Sequence, residues 1–176
     1  MIETVRYRVG QFFRALAARV PEEDVEQALH ILAPEARNLF RRQARPDQRH
    51  ALAVYTALRR AGHTDANLLA AALLHDVGKA DARLPAWQRA IMVLLERFAP
   101  RLLAYLSQGE PRGWRCPFVV HTKHPEVGAQ WAQDVGCSPR TVALVRRHQE
   151  RPVSGSALSA EEEQWLATLQ AADSLN

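Results

Sequence analysis

The sequence predicts an all-α protein, and three observations predict it. Apolar residues recur at spacings of three and four along most of the chain. Period-two alternation, the mark of a half-buried strand, is nearly absent. Helix punctuation (proline or acidic residues at starts, glycine at stops) divides the chain at short intervals.

The elements follow in order. "VRYRVGQFFRALAARV", residues 5–20, has helical spacing with arginines throughout. It is therefore neither a signal peptide nor a membrane span, and no other run reaches about 18 uncharged apolar residues. The expected location is the cytoplasm. "PEEDVEQALHIL" opens with Pro21 and acids in a first turn, and "PEARNLFRRQAR" supplies another helix. "PDQRHALAVYTALRRAG" runs from an Asp47 N-cap to Gly62 as a stop. "DANLLAAALLHD" differs, because seven of the eight residues from Asn67 to Leu74 are apolar, as in a wholly buried helix. "PAWQRAIMVLLERFAPRLLAYL" is long and amphipathic, with a break at Pro100. "GEPRGWRCP", residues 109–117, is the clearest loop. After it Pro125, Pro139 and Ser159 each begin a helix, the last with a capping box of Ser159 and Glu162. The four tryptophans form no spaced stripe and read as core or rim, with Trp114 near a pocket.

No repeat, low-complexity tract or linker interrupts the chain, and 176 residues at 47% hydrophobic suit one domain with a sizeable core. Cys116 and Cys137 are two thiols in a chain too long for a disulfide scaffold, and neither is expected to be reactive. A net charge of +4 is modest, and the arginines alternate with acids, so nucleic acid is not an expected partner. The basic residues are 21 Arg and two Lys. Both lysines stand near histidines: Lys79 just after His75-Asp76, and Lys123 between His121 and His124.

The buried helix ends in ionisable groups. His75 and Asp76 follow its last leucine, and a carboxylate with an imidazole at the edge of an apolar core is costly unless paired or ligated. Two readings are open at this point: a hydrogen-bonded His–Asp pair, or part of a metal site at a helix C-terminus, where the dipole favours a cation. His50 shares a helix face with Val54, Ala57, Leu58 and Ala61 and should point inward. Further ligand types recur on later helix ends: His124 in "HTKHPEVGAQ", His148 in "LVRRHQE", and Asp173 in "LATLQAADSLN", on the apolar side marked by Leu166 and Leu169. His30 and His63 read as a helix-surface and a helix-end residue.

The order His50, His75-Asp76, Asp173 resembles the signature of the HD superfamily of metal-dependent phosphohydrolases. "HDVGK" with "HPEVG", "RRHQE" and "AAD" resembles the HDIG subset, which includes cyclic-dinucleotide phosphodiesterases. The resemblance covers residues 45–176. It implies a bundle of helices around a metal centre, in which His50, His75, Asp76 and Asp173 hold one metal. Asp76 would bridge to a second held by His124 and His148. Residues 1–44 lie outside the resemblance, as helices that extend the bundle or make a homodimer contact.

Four His and two Asp suit iron, manganese, zinc or nickel better than magnesium. Two divalent transition-metal ions about 3.5 to 4 Å apart would each take a phosphate oxygen and share a water acidic enough to serve as hydroxide. The resemblance gives Asp76 the bridging role and Lys79 a contact to substrate phosphate. His121 and Lys123 are expected to touch substrate or support the ligands. The expected activity is hydrolysis of a nucleotide or cyclic dinucleotide phosphoester, as a phosphodiesterase or phosphomonoesterase. The alternative is a non-catalytic, metal- and nucleotide-binding regulatory module, and a rarer one is oxidation at a di-iron centre. Departures narrow the substrate. Gln149 stands where members that cleave cyclic di-GMP carry a second histidine, no GYP follows, and Pro46 replaces the glutamate that holds a third metal. A three-metal centre and cyclic di-GMP specificity are therefore not expected.

Overall fold

The computed structural model describes residues 22–82, 86–150 and 159–176, and among them every regular element is helical. The order is α1 (Glu22–Leu29), α2 (Pro34–Arg42), α3 (Arg45–Arg60), α4 (Ala66–Leu74), a 3-10 helix (Val77–Ala82), α5 (Ala86–Phe98), α6 (Pro100–Leu106), a short 3-10 turn (Gly113–Arg115), α7 (Cys116–Asp134), α8 (Pro139–Arg147) and α9 (Ala160–Leu175). The helix expected over residues 5–20, the Pro21 start and the segment 151–158 lie outside the described residues.

Helix α4 is the axis of the bundle. Asp65 caps its N-terminus, accepting from the amides of Asn67 and Leu68, an arrangement typically worth about 1 kcal/mol. Every residue from Leu68 to Leu74 is buried, which an amphipathic helix could not tolerate but an all-apolar one requires. Helices α2, α3, α8 and α9 surround it. Leu29, Phe40, Val54, Leu58, Leu144 and Leu169 close over its leucines, each such side chain contributing about 1.5 to 3 kcal/mol on burial. Gln43, itself buried, donates to the free carbonyl of Leu73 near the end of the helix. Leu29 and Phe40 bring α1 and α2 into the same core.

Two element starts differ from the expected ones. Helix α3 begins at Arg45 rather than after an Asp47 cap, because Pro46 occupies the first turn, where a missing amide N–H costs nothing, and Asp47 lies buried inside that turn. Helix α7 begins at Cys116, with Pro117 in its first turn, and runs through Pro125 to Asp134. The loop expected at 109–117 is accordingly shorter. A proline in a helix interior costs about 3 kcal/mol unless something compensates. The break at Pro100, the Gly62 stop (φ +89°), the Pro139 start and the Ser159–Glu162 capping box are as expected.

Helices α5 and α6 pack on α7 outside the main core. Ser107 ties them down: the Leu103 and Phe118 carbonyls share its single O–H, and its oxygen accepts from Thr122. Trp131 and Trp165 pack against the core, whereas Trp87 and Trp114 are exposed and Trp114 meets Phe118 edge-to-face. Both cysteines are free, and burial pushes the Cys137 thiol up. No helix among the described residues is long and apolar enough to cross a membrane.

Candidate metal centre

Three histidines are aimed by the same device. His75 is the C-cap of α4 and His148 the C-cap of α8. The Nδ1–H of His75 donates to the Ala72 carbonyl at 2.9 Å, and that of His148 to the Val145 carbonyl at 2.7 Å. Each acceptor lies three residues back, among the carbonyls that a helix end leaves without an amide partner. His124 stands mid-helix, yet its Nδ1–H donates to the His121 carbonyl at 2.7 Å. Since a carbonyl only accepts, Nδ1 carries a hydrogen in all three rings, and each Nε2 faces inward, where a metal would take its lone pair.

These nitrogens meet the two carboxylates in two groups that share Asp76. Asp76 Oδ1 lies 3.1 Å from His124 Nε2 and 3.7 Å from His148 Nε2, and those nitrogens are 3.2 Å apart. Asp76 Oδ2 lies 3.7 Å from His75 Nε2, which is 3.5 Å from Asp173 Oδ1. His50 Nε2 is 2.7 Å from the same Asp173 oxygen. His75, Asp76, His124 and His148 are buried, while His50 and Asp173 are about one-quarter exposed at 27% and 29%. All six residues expected from the sequence as ligands therefore converge, from α3, α4, α7, α8 and α9.

The chain's own groups set one another's charges as follows. Burial alone would lower His75, but the carboxylates of Asp76 and Asp173 outweigh it and raise the imidazole to about 9. Burial would raise Asp76 and Asp173, but Lys79 and His75 hold Asp76 well below the usual carboxylate range, and His50 and His75 do the same for Asp173. His124 goes the other way: burial and the Lys79 ammonium push it down to about 3, so it is neutral near pH 7.

The donor set fits metal ions. His75 Nε2 is fully buried and has no hydrogen-bond partner. Around Asp76 Oδ1, three electron-pair donors form a triangle with edges of 3.1, 3.2 and 3.7 Å. A proton can join only two of them, whereas one cation serves all three. Metal–ligand bonds of about 2.1 Å give polyhedron edges of about 3.0 to 3.4 Å, close to the observed spacing. The rings are also pre-oriented by the carbonyls behind them, as in metal sites generally.

Two glycines set the distance between the helices that carry these groups. A β-carbon on Gly78 would lie 2.1 Å from the His124 carbonyl oxygen, and one on Gly128 would crowd the Gly78 nitrogen at 3.1 Å. The 3-10 helix after His75-Asp76 thus lies directly on the α7 backbone, which brings His124 over Asp76. The glycines of "HDVGK" and "HPEVG" are one contact seen from its two sides.

The other expected site residues divide. Lys79 is at the centre, but its Nζ binds Asp76 Oδ2 at 2.8 Å. His121 contributes its carbonyl to His124, and its ring turns to Glu96, with Nε2 3.6 Å from Oε2. Lys123 is not at the centre: its side chain is exposed and donates to the Gly109 carbonyl at 3.1 Å. One helix position separates Lys123 from His124, and that rotates it about 100° away from the centre. His30 and His63 stand apart from the ligand groups.

A cleft of about 430 Å³ runs past His121 and Pro125, with Glu96, Arg146, Gln149 and Glu150 on its walls. Glu96 was not anticipated. The His121 imidazole beside it holds its carboxyl below the usual range. It comes from α5, and no spacing in the sequence links that helix to the ligand helices. Trp114, expected near a pocket, is not among the cleft residues.

Comparison of the chain with family models, with curated proteins and with solved structures gave no match in any of the three.

Proposed function

We propose that the protein is a metal-dependent phosphohydrolase of the HD type acting on a nucleotide or cyclic dinucleotide phosphoester. The observation that carries this reading is the division of Asp76: its two oxygens face two separate ligand groups, Oδ1 toward His124 and His148 and Oδ2 toward His75. A buried carboxylate shared in this way is suited to bridging two cations. His50, His75, Asp76 and Asp173 would hold one ion, and Asp76, His124 and His148 the other. When bound, such ions supply a Lewis acid for phosphoryl oxygen and an acidified water.

The chain's own residues do the rest. The buried histidines exclude solvent from the ligand pocket, and the carbonyls behind them hold each Nε2 in place. Lys79 binds Asp76 Oδ2, where its ammonium offsets part of the carboxylate charge. Lys79 would be the chain's contact to substrate phosphate, where charge grows in the transition state. His121 and Glu96 face each other on the cleft wall, with Nε2 3.6 Å from Oε2, where they would touch substrate.

The test is elemental analysis of protein loaded with manganese or iron, with a hydrolysis screen of nucleotides and cyclic dinucleotides. Two metals per chain and release of phosphate or of a linear product are expected. One metal or fewer would remove the bridging role, and two metals without turnover of any phosphoester would favour the non-catalytic regulatory module.

A further inference from the structure

His75 and His148 use carbonyls that a helix end sets free, but His124 has no such end within reach. It lies nine residues into a helix of 19, where the His121 carbonyl would ordinarily accept the amide of the residue four positions on. That residue is Pro125, which has no amide hydrogen. The carbonyl left open is the one that accepts His124 Nδ1–H at 2.7 Å. The ring so fixed places Nε2 3.1 Å from Asp76 Oδ1 and 3.2 Å from His148 Nε2.

We infer that Pro125 is a positioning residue for the centre: by withholding one backbone N–H inside α7, it delivers the His121 carbonyl to His124 and so decides which ring nitrogen faces Asp76. The helix accepts a residue that normally breaks it, and the vacated hydrogen bond is remade by an imidazole one position away. Any other amino acid at 125 restores the amide, which competes for that carbonyl. The Nδ1–H then loses its partner, and the ring is free to take the other tautomer, which turns an N–H rather than a lone pair toward Asp76. For metal affinity the inference rests on the phosphohydrolase reading. For the tautomer it does not.

The experiment compares wild type, Pro125→Ala, and a variant with lactic acid at 125, whose ester lacks the N–H as proline does but also lacks the ring. The ring tautomer of His124 is read by ¹⁵N NMR in metal-free protein, and zinc and manganese binding by titration. Wild type and the ester variant should both show the Nδ1–H tautomer. Pro125→Ala should lose it and should bind the ion of the His124 group about 10- to 100-fold more weakly, as when a partner behind a ligating histidine is removed. The ion held by His50, His75 and Asp173 should be unaffected, and the thermal midpoint of Pro125→Ala should not fall, since a helix-interior proline is being removed. Two results would overturn the inference. One is a Pro125→Ala protein with the wild-type tautomer. The other is an ester variant that behaves like Pro125→Ala, which would assign the effect to the ring rather than to the missing hydrogen. A wild type that binds no metal would instead refute the phosphohydrolase reading and leave the tautomer comparison decisive.

Discussion

Gly78 lies so close to His124 that a β-carbon on it would sit 2.1 Å from the His124 carbonyl oxygen. No flexible side chain is involved, so the contact can be relieved only by moving the 3-10 helix away from α7. Gly78→Ala should therefore cost about 1 to 3 kcal/mol, as overpacking does, and pull His124 away from Asp76. A thermal melt and a metal count check this together. Lower stability with loss of the ion at His124 and His148 is expected, and an unaltered metal count would show that the separation of the two helices does not set the site.

Asp76 belongs to both ligand groups, His50 and Asp173 only to one. Asp76→Ala is expected to empty both sites and abolish hydrolysis, whereas His50→Ala should empty one. His63→Ala, outside the cluster, should leave metal content and activity as they are. Metal analysis of the three purified variants distinguishes these outcomes, and a fully active Asp76→Ala protein would contradict the proposed function directly.

Lys79 binds a ligand oxygen without being a ligand. Lys79→Ala should keep both metals, because a competing cation has been removed, yet kcat/KM should fall by about 10²-fold or more through loss of one preorganised donor. Lys79→Arg should rescue only in part, since a planar fork does not fit where a compact ammonium does. Steady-state kinetics on metal-loaded protein test both, and unchanged kinetics in the alanine variant would assign Lys79 a purely electrostatic place beside Asp76.

Stability of the metal-free protein should depend on pH in a stated direction. His75 is raised from 6.5 to about 9, so its contribution is complete below pH 6.5 and is lost as pH rises through 9. A change of that size is worth on the order of 3 kcal/mol. Asp76 and Asp173 are lowered, so theirs is present above the ordinary carboxylate range and lost in acid. These are the same attractions seen from both partners and count once. Urea melts of chelator-treated protein should place maximal stability between those limits. Bound metal replaces the His75 proton, so loaded protein should hold its stability through pH 9, and identical profiles with and without metal would separate His75 from the metal.

Much of this arrangement was legible in the residues. The all-apolar run of α4 read as a buried helix and the charged pair at its end called for partners, but the ordered set of other ligands came from the resemblance to the HD signature. What could not be read was which of two prolines starts α7. Pro117 and Pro125 carry the same local signal, and only the bond from His124 to the His121 carbonyl makes the second tolerable inside a helix. Glu96 was hidden for a related reason: it joins the cleft through packing of α5 on α7, and side chains brought together by tertiary contact leave no period behind. Lys123 misled because nearness in sequence to two histidines says nothing about which side of a helix a residue faces.

His50 and Asp173 stand 123 residues apart in the chain and 2.7 Å apart in space, whereas His124 and His148 are separated by 24 residues. Joining the distant pair costs about 1.5 kcal/mol more chain entropy than joining the near one, since closure cost grows with the logarithm of the span. The two halves of the centre are thus unequal as events: the histidines of one meet through a local hairpin of helices, and the His50–Asp173 pair of the other waits until α9 has come back to meet α3. If the proposed ion binds between His50 and Asp173, it would act as a removable cross-link over most of the described chain. It would reward only molecules that have completed folding, and its departure would loosen α9 before anything else.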